Sequence, residues 1–110
     1  MKQTITLKKN YEFEKIFSKG KYINGKYICA YMMKNHMNIN KIGIAISKKV
    51  GKSVQRNRIK RLIRENYRML ENDINLGNNI VFLWKKNTTI TDATYKNIEE
   101  DMKNIINRVK

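Results

Sequence analysis

The segment from Ser47 to Arg68, SKKVGKSVQRNRIKRLIRENYR, constrains this chain more than any other feature. Its second half has the period of an amphipathic helix, because its apolar residues recur at spacings that place them on one face. These apolar residues are Ile59, Leu62, Ile63 and Leu70. The opposite face carries Asn57, Lys60, Arg61, Arg64 and Arg68. The pattern therefore predicts a helix with an apolar back and a cationic front.

The charge of this segment has one sign. From Lys48 to Arg64 it contains eight basic residues and no acidic residue. A helix that merely keeps a protein dissolved usually mixes signs, with Glu–Lys pairs four residues apart. One sign over four turns costs self-repulsion, so binding to a polyanion explains the segment better than simple solvation does.

The composition of the whole chain supports the same interpretation. The net charge is +15, from 24 Lys and Arg against 9 Asp and Glu, in a chain of 110 residues. Such an excess in a small domain points to nucleic acid, or less often to an anionic membrane surface. Membrane anchoring is the weaker option, because no apolar run approaches about 18 residues. We expect one cytoplasmic domain over residues 1–110.

Residues that could carry chemistry are scarce. Cys29 is the single cysteine and His36 the single histidine, so they cannot together build a zinc site. Cys29 lies among apolar residues and is expected to be a small buried side chain. His36 is expected to be exposed at a turn. The acidic residues are scattered, so the sequence predicts no catalytic residue, no metal ligand and no cofactor in the protein.

The periodicity predicts an α–β–β–α–β–α order after a short polar lead-in at residues 1–9. The predicted helices cover 11–18, with Asn10 as N-cap and Gly20 as stop, then Ser53 to Leu70, and a last helix capped by Thr91 or Asp92. The apolar stripe of the last helix is Tyr95, Ile98, Met102, Ile105, Ile106 and Val109. The predicted strands are 26–34, 41–47 and 80–85.

The faces of the predicted strands differ in size. In strand 41–47, one face carries Ile42, Ile44 and Ile46 and the other carries Gly43, Ala45 and Ser47. In strand 26–34, Tyr27, Cys29, Tyr31 and Met33 share one side, and Ile28, Ala30 and Met32 share the other. A face of small residues allows either a packed helix or a ligand to approach the sheet closely.

Three aromatic residues are candidates for base stacking. Phe13 and Phe17 lie one helical turn apart, and Tyr31 lies on a strand. Aromatic rings beside cationic groups hold single-stranded nucleic acid without reading its sequence. Packing in the core is the other explanation and applies to most Phe residues. The residues alone leave both open.

Residues 47–65 closely resemble the signature of the bacterial ribonuclease P protein component. The most specific run is Arg56-Asn57-Arg58 followed by Ile59-Lys60-Arg61. The resemblance covers nearly the whole chain. It implies an α/β (α+β) two-layer sandwich like the second domain of a small-subunit ribosomal protein. The mixed sheet would have about four strands and a left-handed β–α–β crossover through the basic helix.

The resemblance also implies a function. Proteins of this family bind a large catalytic RNA and assist removal of the 5′ leader from precursor tRNA. The RNA carries the Mg²⁺-dependent chemistry, so the protein alone would be inactive. Residues expected to contact the RNA subunit are Lys48, Lys49, Lys52, Arg56, Asn57, Arg58, Lys60, Arg61 and Arg64, and the helical pattern adds Arg68. The leader would lie against Phe13, Phe17 and Tyr31.

Two other functions fit a small basic domain. One is a ribosomal or other structural RNA-binding protein, and the other is a helical DNA-binding module. The nucleic acid that copurifies with the protein would distinguish them. Under the interpretation as a ribonuclease P subunit, the partners are the RNA subunit and precursor tRNA, with no DNA and no membrane.

Overall fold

The computed structural model describes residues 4–109, with the side chain of Val109 outside the described part. Its strands are β1 (Thr4–Thr6), β2 (Lys21–Asn24), β3 (Ile28–Lys34), β4 (Asn40–Ala45) and β5 (Asn78–Trp84). Its α-helices are α1 (Asn10–Lys19), α2 (Ser53–Leu70) and α3 (Tyr95–Val109). No helix in this part of the chain is long and apolar enough to span a membrane.

The strands form one mixed sheet in the order β1-β4-β5-β3-β2. β1 and β5 run parallel to β4, whereas β3 runs antiparallel to both β5 and β2. The basic helix α2 connects the parallel strands β4 and β5, which gives the predicted β–α–β crossover. The left-handed sense of that crossover stays a prediction from the resemblance.

The sheet has five strands, where the sequence predicted about four, and the full order is β–α–β–β–β–α–β–α. The interpretation of residues 1–9 as a simple lead-in was wrong for its described part, since Thr4–Thr6 form β1 and Leu7 is buried. Strand β2 was also missed. Both strands are three or four residues long, too short to show a clear alternation.

The predicted helix starts differ from the structure by a few residues. Asn10 is the first residue of α1, and Lys9 occupies the N-cap position. The cap predicted at Thr91 or Asp92 was wrong, because both belong to a separate short 3-10 turn, Ile90–Asp92. Thr94 instead caps α3, since its side-chain oxygen accepts the N–H of Asn97 at 3.2 Å.

The main core lies between one face of the sheet and the helices α2 and α3. Its fully buried members include Ile59, Ile63 and Tyr67 from α2, Ile98 and Met102 from α3, and Ile80 and Phe82 from β5. These contacts form the predicted two-layer sandwich. The stripe predicted for α3 is buried at Ile98, Met102, Ile105 and Ile106 but exposed at Tyr95, and the prediction for Val109 lies outside the described residues.

Helix α1 packs on the opposite face of the sheet, over Leu7 and Val81. Phe13 lies directly against Gly43, because a Cβ placed on Gly43 would be 2.5 Å from Phe13 Cε1. The face of small residues on β4 therefore accommodates a packed helix at this position. Tyr27 departs from the predicted side of its strand, since it precedes β3 and packs against the main core.

Candidate nucleic-acid interface

The two faces predicted for α2 are present in the structure. Ile59, Leu62, Ile63 and Leu70 are buried, while Asn57, Arg61, Arg64 and Arg68 are exposed and Lys60 is half-buried. Asn66 and Tyr67 are also buried. Tyr67 follows Ile63 by four positions, so the helical period contained this signal. The apolar face therefore packs in the core, and the basic face stays exposed to solvent.

One acidic residue, Glu65, forms an ion pair on this basic face. Glu65 lies 3.8 Å from the Arg61 guanidinium, one helical turn away, and both side chains are largely exposed. Exposed pairs of this kind contribute little to stability and are screened by salt. Arg61 is therefore available to a phosphate partner at small cost.

The basic loop before α2 is held by Arg56. Arg56 Nη1 donates to the carbonyl oxygen of Lys48 at 3.2 Å and to that of Gly51. Gly51 has a φ of +152°, a conformation that glycine adopts readily. Lys48, Lys49 and Lys52 remain exposed on this loop. Arg56 thus fixes the backbone that presents three lysines.

Arg58 has a partner within the protein as well. Its Nη1 donates to the carbonyl oxygen of Ala93 at 2.6 Å, which ties α2 to the segment before α3. A guanidinium carries five N–H donors, so Arg56 and Arg58 each keep donors for an external phosphate. The assignment of both residues to the RNA interface stays a prediction, with a structural role now added.

The predicted aromatic residues lie together on the face of the sheet against which α1 packs. The rings of Phe13 and Phe17 are 6.4 Å apart, and those of Phe17 and Tyr31 are 5.2 Å apart in an edge-to-face arrangement. Phe17 is 38% exposed, whereas Phe13 and Tyr31 are half-buried. The cluster is thus both packed and accessible, which combines the two explanations that the residues alone left open.

Tyr22 belongs to this cluster and was missed. Its ring lies 5.1 Å from that of Tyr31, and 48% of its surface is exposed. The β2–β3 register places Tyr22 directly opposite Tyr31. Only the pairing of the two strands brings these rings together. We call Phe13, Phe17, Tyr22 and Tyr31 the aromatic cluster.

Cys29 is buried, as predicted, and lies beside this cluster. Burial raises the pKa of the Cys29 thiol, while a hydrogen bond with Tyr22 and the charge of Lys85 act in the opposite direction. The pKa of Tyr22 is also raised, first by desolvation and then by its hydrogen bond with Cys29. A buried thiol whose pKa is raised is less reactive than an exposed one.

The hairpin that carries Tyr22 and Tyr31 is fastened from the other face of the sheet. The buried carboxylate of Asp101, on α3, accepts the backbone N–H groups of Lys26, Tyr27 and Ile28 at 3.1, 2.5 and 2.9 Å. Arg108 Nη2 also donates to the carbonyl oxygen of Asn24. Helix α3 therefore fixes the turn between β2 and β3.

Replacing Asp101 by asparagine should lower the free energy of unfolding by on the order of 1 kcal/mol. The new amide NH₂ would face backbone donors and leave at least one buried N–H without an acceptor. Denaturant unfolding followed by the fluorescence of Trp84, whose ring stacks on Tyr27, measures the change. Glu100→Gln, an exposed neighbour on α3 with the same charge change, is the control. Equal midpoints for the two variants would show that Asp101 does not hold the turn.

The residues needed for a metal centre do not come together in the described chain. Within residues 4–109, no three His, Cys, Asp or Glu side chains are placed to hold an ion. His36 is exposed at the turn after β3, as predicted.

A cationic helix and an aromatic cluster on one small α/β domain define a protein suited to binding a polyanion with unpaired bases. The chain belongs to the ribonuclease P protein family, because the sequence model of the family described as Ribonuclease P matches residues 1–110. Proteins of this family are subunits of the enzyme that removes the 5′ leader from precursor tRNA. The resemblance found in the sequence is thereby confirmed.

Known proteins agree with this assignment. The chain is 41% identical over 103 residues to the ribonuclease P protein component of Clostridium botulinum, covering 93% of this chain and 91% of that one. It is 40% identical over 107 residues to that of Clostridioides difficile, covering 96% and 92%. The solved RNase P protein of Staphylococcus aureus superposes with a TM-score of 0.83 at 30% identity, covering 96% and 94%.

Proposed function

We propose that this chain binds the RNA subunit of ribonuclease P through α2 and the basic loop, and the precursor-tRNA leader through the aromatic cluster. One observation carries the proposal. Exposed basic groups and stackable rings lie on one small protein, where the rings of Phe17 and Tyr31 are 5.2 Å apart. Basic groups neutralise phosphates, and aromatic rings hold unpaired bases of any sequence. An enzyme that processes every precursor tRNA needs that tolerance.

The chemistry belongs to the RNA in this proposal. The RNA subunit holds Mg²⁺ and carries phosphodiester hydrolysis, while the protein contributes a net charge of +15 that replaces counterions on crowded phosphates. Two acidic side chains suit this division of labour, since Glu12 pairs with Lys41 and Asp101 accepts backbone N–H groups. The assembly would work in the cytoplasm. Because the chain belongs to the ribonuclease P protein family, the two alternative functions, a ribosomal protein and a DNA-binding module, are not proposed.

Reconstitution tests the proposal. Pure protein incubated with precursor tRNA and Mg²⁺ should give no site-specific cleavage, because no three His, Cys, Asp or Glu side chains in residues 4–109 are placed to hold the metal ion that the chemistry needs. Adding the RNA subunit should restore cleavage at the mature 5′ end, at a lower Mg²⁺ concentration than the RNA needs by itself. Site-specific cleavage by the protein alone would contradict the proposal.

Removing two cations from α2 should weaken binding to the RNA subunit without unfolding the protein. If Arg61 and Arg64 each neutralise one phosphate, replacing both by alanine should make the slope of log affinity against log salt shallower by roughly two units. Both side chains are exposed, so the melting temperature should not change. Lys96→Ala with Lys103→Ala, on exposed positions of α3, removes the same charge as a control. An equal effect of both pairs would show that the α2 face is not the contact.

A further inference from the structure

A second basic surface lies on the other flank of α1 from the aromatic cluster. Residues advance by about 100° around a helix, so Phe13 and Phe17 point to one flank while Tyr11, Lys15 and Lys19 point to the other. That second flank borders a groove of about 550 Å³ between α1, the end of β3 and the start of β4. We call it the α1 groove. Its polar lining includes Tyr11, Lys15, Lys19, Lys34, His36 and Lys41.

The charge in the α1 groove is almost all positive. Its one acidic residue, Glu12, forms an ion pair with Lys41 at 3.6 Å. None of the salt bridges formed within residues 4–109 involves Lys15, Lys19 or Lys34. Lys15 and Lys19 of α1 and Lys34 of β3 therefore line one groove without a salt bridge to a described carboxylate, an arrangement that favours an anionic ligand.

The rim of the α1 groove is held by hydrogen bonds of Asn35. Asn35 Nδ2 donates to Asn79 Oδ1 at 2.8 Å and to the carbonyl oxygen of Ile39 at 3.2 Å, and Asn35 Oδ1 accepts the N–H of Met37 at 2.8 Å. Between these residues His36 has a φ of +59°, which a non-glycine residue adopts only when its surroundings hold it there. A ligand thus meets a preformed wall, which lowers the ordering cost of binding.

The groove also offers a ring. Tyr11 is 64% exposed, and the ammonium of Lys9 lies 5.7 Å from its centroid. An exposed ring beside lysines is the combination with which proteins hold unpaired nucleotides. A small anion would contact the lysines but not the Tyr11 ring. The lysines and the ring together therefore favour a nucleotide chain.

We propose that the α1 groove is a second site for single-stranded RNA, in which Lys15, Lys19 and Lys34 contact phosphates and Tyr11 stacks on a base. The proposal rests on the proposed function. The strand has two possible sources with the same chemistry, the precursor-tRNA leader beyond the aromatic cluster and an unpaired segment of the RNA subunit. Helix α1 then contacts RNA along both flanks.

The test uses the reconstituted holoenzyme with Lys15→Gln and Lys34→Gln combined. Lys96→Gln with Lys103→Gln is the control, since it makes the same charge change on α3. Affinity against salt is measured for precursor tRNA with a long leader, for mature tRNA, and for the protein binding the RNA subunit. Loss of two single-strand contacts should make one slope shallower by about 1.4 units. A change confined to the long leader identifies the leader, and a change in the protein–RNA titration identifies the RNA subunit.

Tyr11→Ala supplies a second measurement. It should lower the affinity measured in the same titration at least about fivefold, as expected for the loss of one stacked base. The melting temperature should not change, because the ring is exposed. Slopes equal to those of the control pair, or full affinity with Tyr11→Ala, would overturn the site. Such a result leaves the proposed function intact, whereas failure of the unmodified protein to bind the RNA subunit would overturn that function itself.

Discussion

Replacing Leu62 by alanine should lower the free energy of unfolding by about 2–5 kcal/mol. Leu62 is 7% exposed and belongs to the core that α2 forms with the sheet and α3. Truncation removes buried apolar surface and leaves a cavity that a packed core fills only partly. Denaturant or thermal unfolding measures the change.

A matched control lies on the same helix. Met69 is 73% exposed, so Met69→Ala removes a side chain of similar size from the solvent side of α2 and should change stability by no more than about 0.5 kcal/mol. Provided that the Leu62 variant folds at low temperature, its affinity for the RNA subunit there should match the wild type. An unchanged melting temperature for Leu62→Ala would mean that the two faces of α2 are assigned wrongly.

Replacing Phe17 by alanine should weaken binding of precursor tRNA by the holoenzyme about tenfold or more, which corresponds to about 1.4 kcal/mol. Phe17 is the most exposed of the three aromatic residues predicted from the sequence and contacts the rings of both Phe13 and Tyr31. A base stacked on such a ring contributes roughly 1–3 kcal/mol. Mature tRNA lacks the leader and should bind the variant and the wild type equally.

Two further variants separate stacking from packing. Phe17→Leu keeps an apolar side chain against Phe13 but has no aromatic face, so it should lose leader affinity while keeping stability. Tyr95 on α3 is also 38% exposed, and Tyr95→Ala should leave both affinities unchanged. Equal losses for precursor and mature tRNA, together with a lower melting temperature, would remove Phe17 from the leader site.

Features that depend on near neighbours in sequence were predictable. The polarity of α2 follows from the spacing of Ile59, Leu62 and Ile63, because the helical period alone decides which side chains share a face. The cationic front of the helix and the excess of positive charge were equally local, and they indicated a polyanion partner without any knowledge of the fold.

Features that depend on pairing between distant segments required the tertiary structure. Strand β1 is three residues long, and only its parallel pairing with β4 makes it a strand. Tyr22 joins Tyr31 through the β2–β3 register, and Asp101 holds that hairpin from another helix. Arg56 showed only a charge in the sequence, while the structure shows its guanidinium bonded to the backbone of the basic loop.

The α1 groove is another feature that only the tertiary structure reveals. Lys15 and Lys34 are 19 positions apart and line the same groove because α1 packs on the sheet near the end of β3. A helical or strand period reports contacts over a few residues, set by backbone geometry. Contacts between elements depend on which faces bury together, and that choice is made by the free energy of packing the whole chain. The sequence by itself therefore determined the three helices, the three longer strands and the charge of the chain, and the tertiary structure determined the two short strands and which charges and rings share a surface.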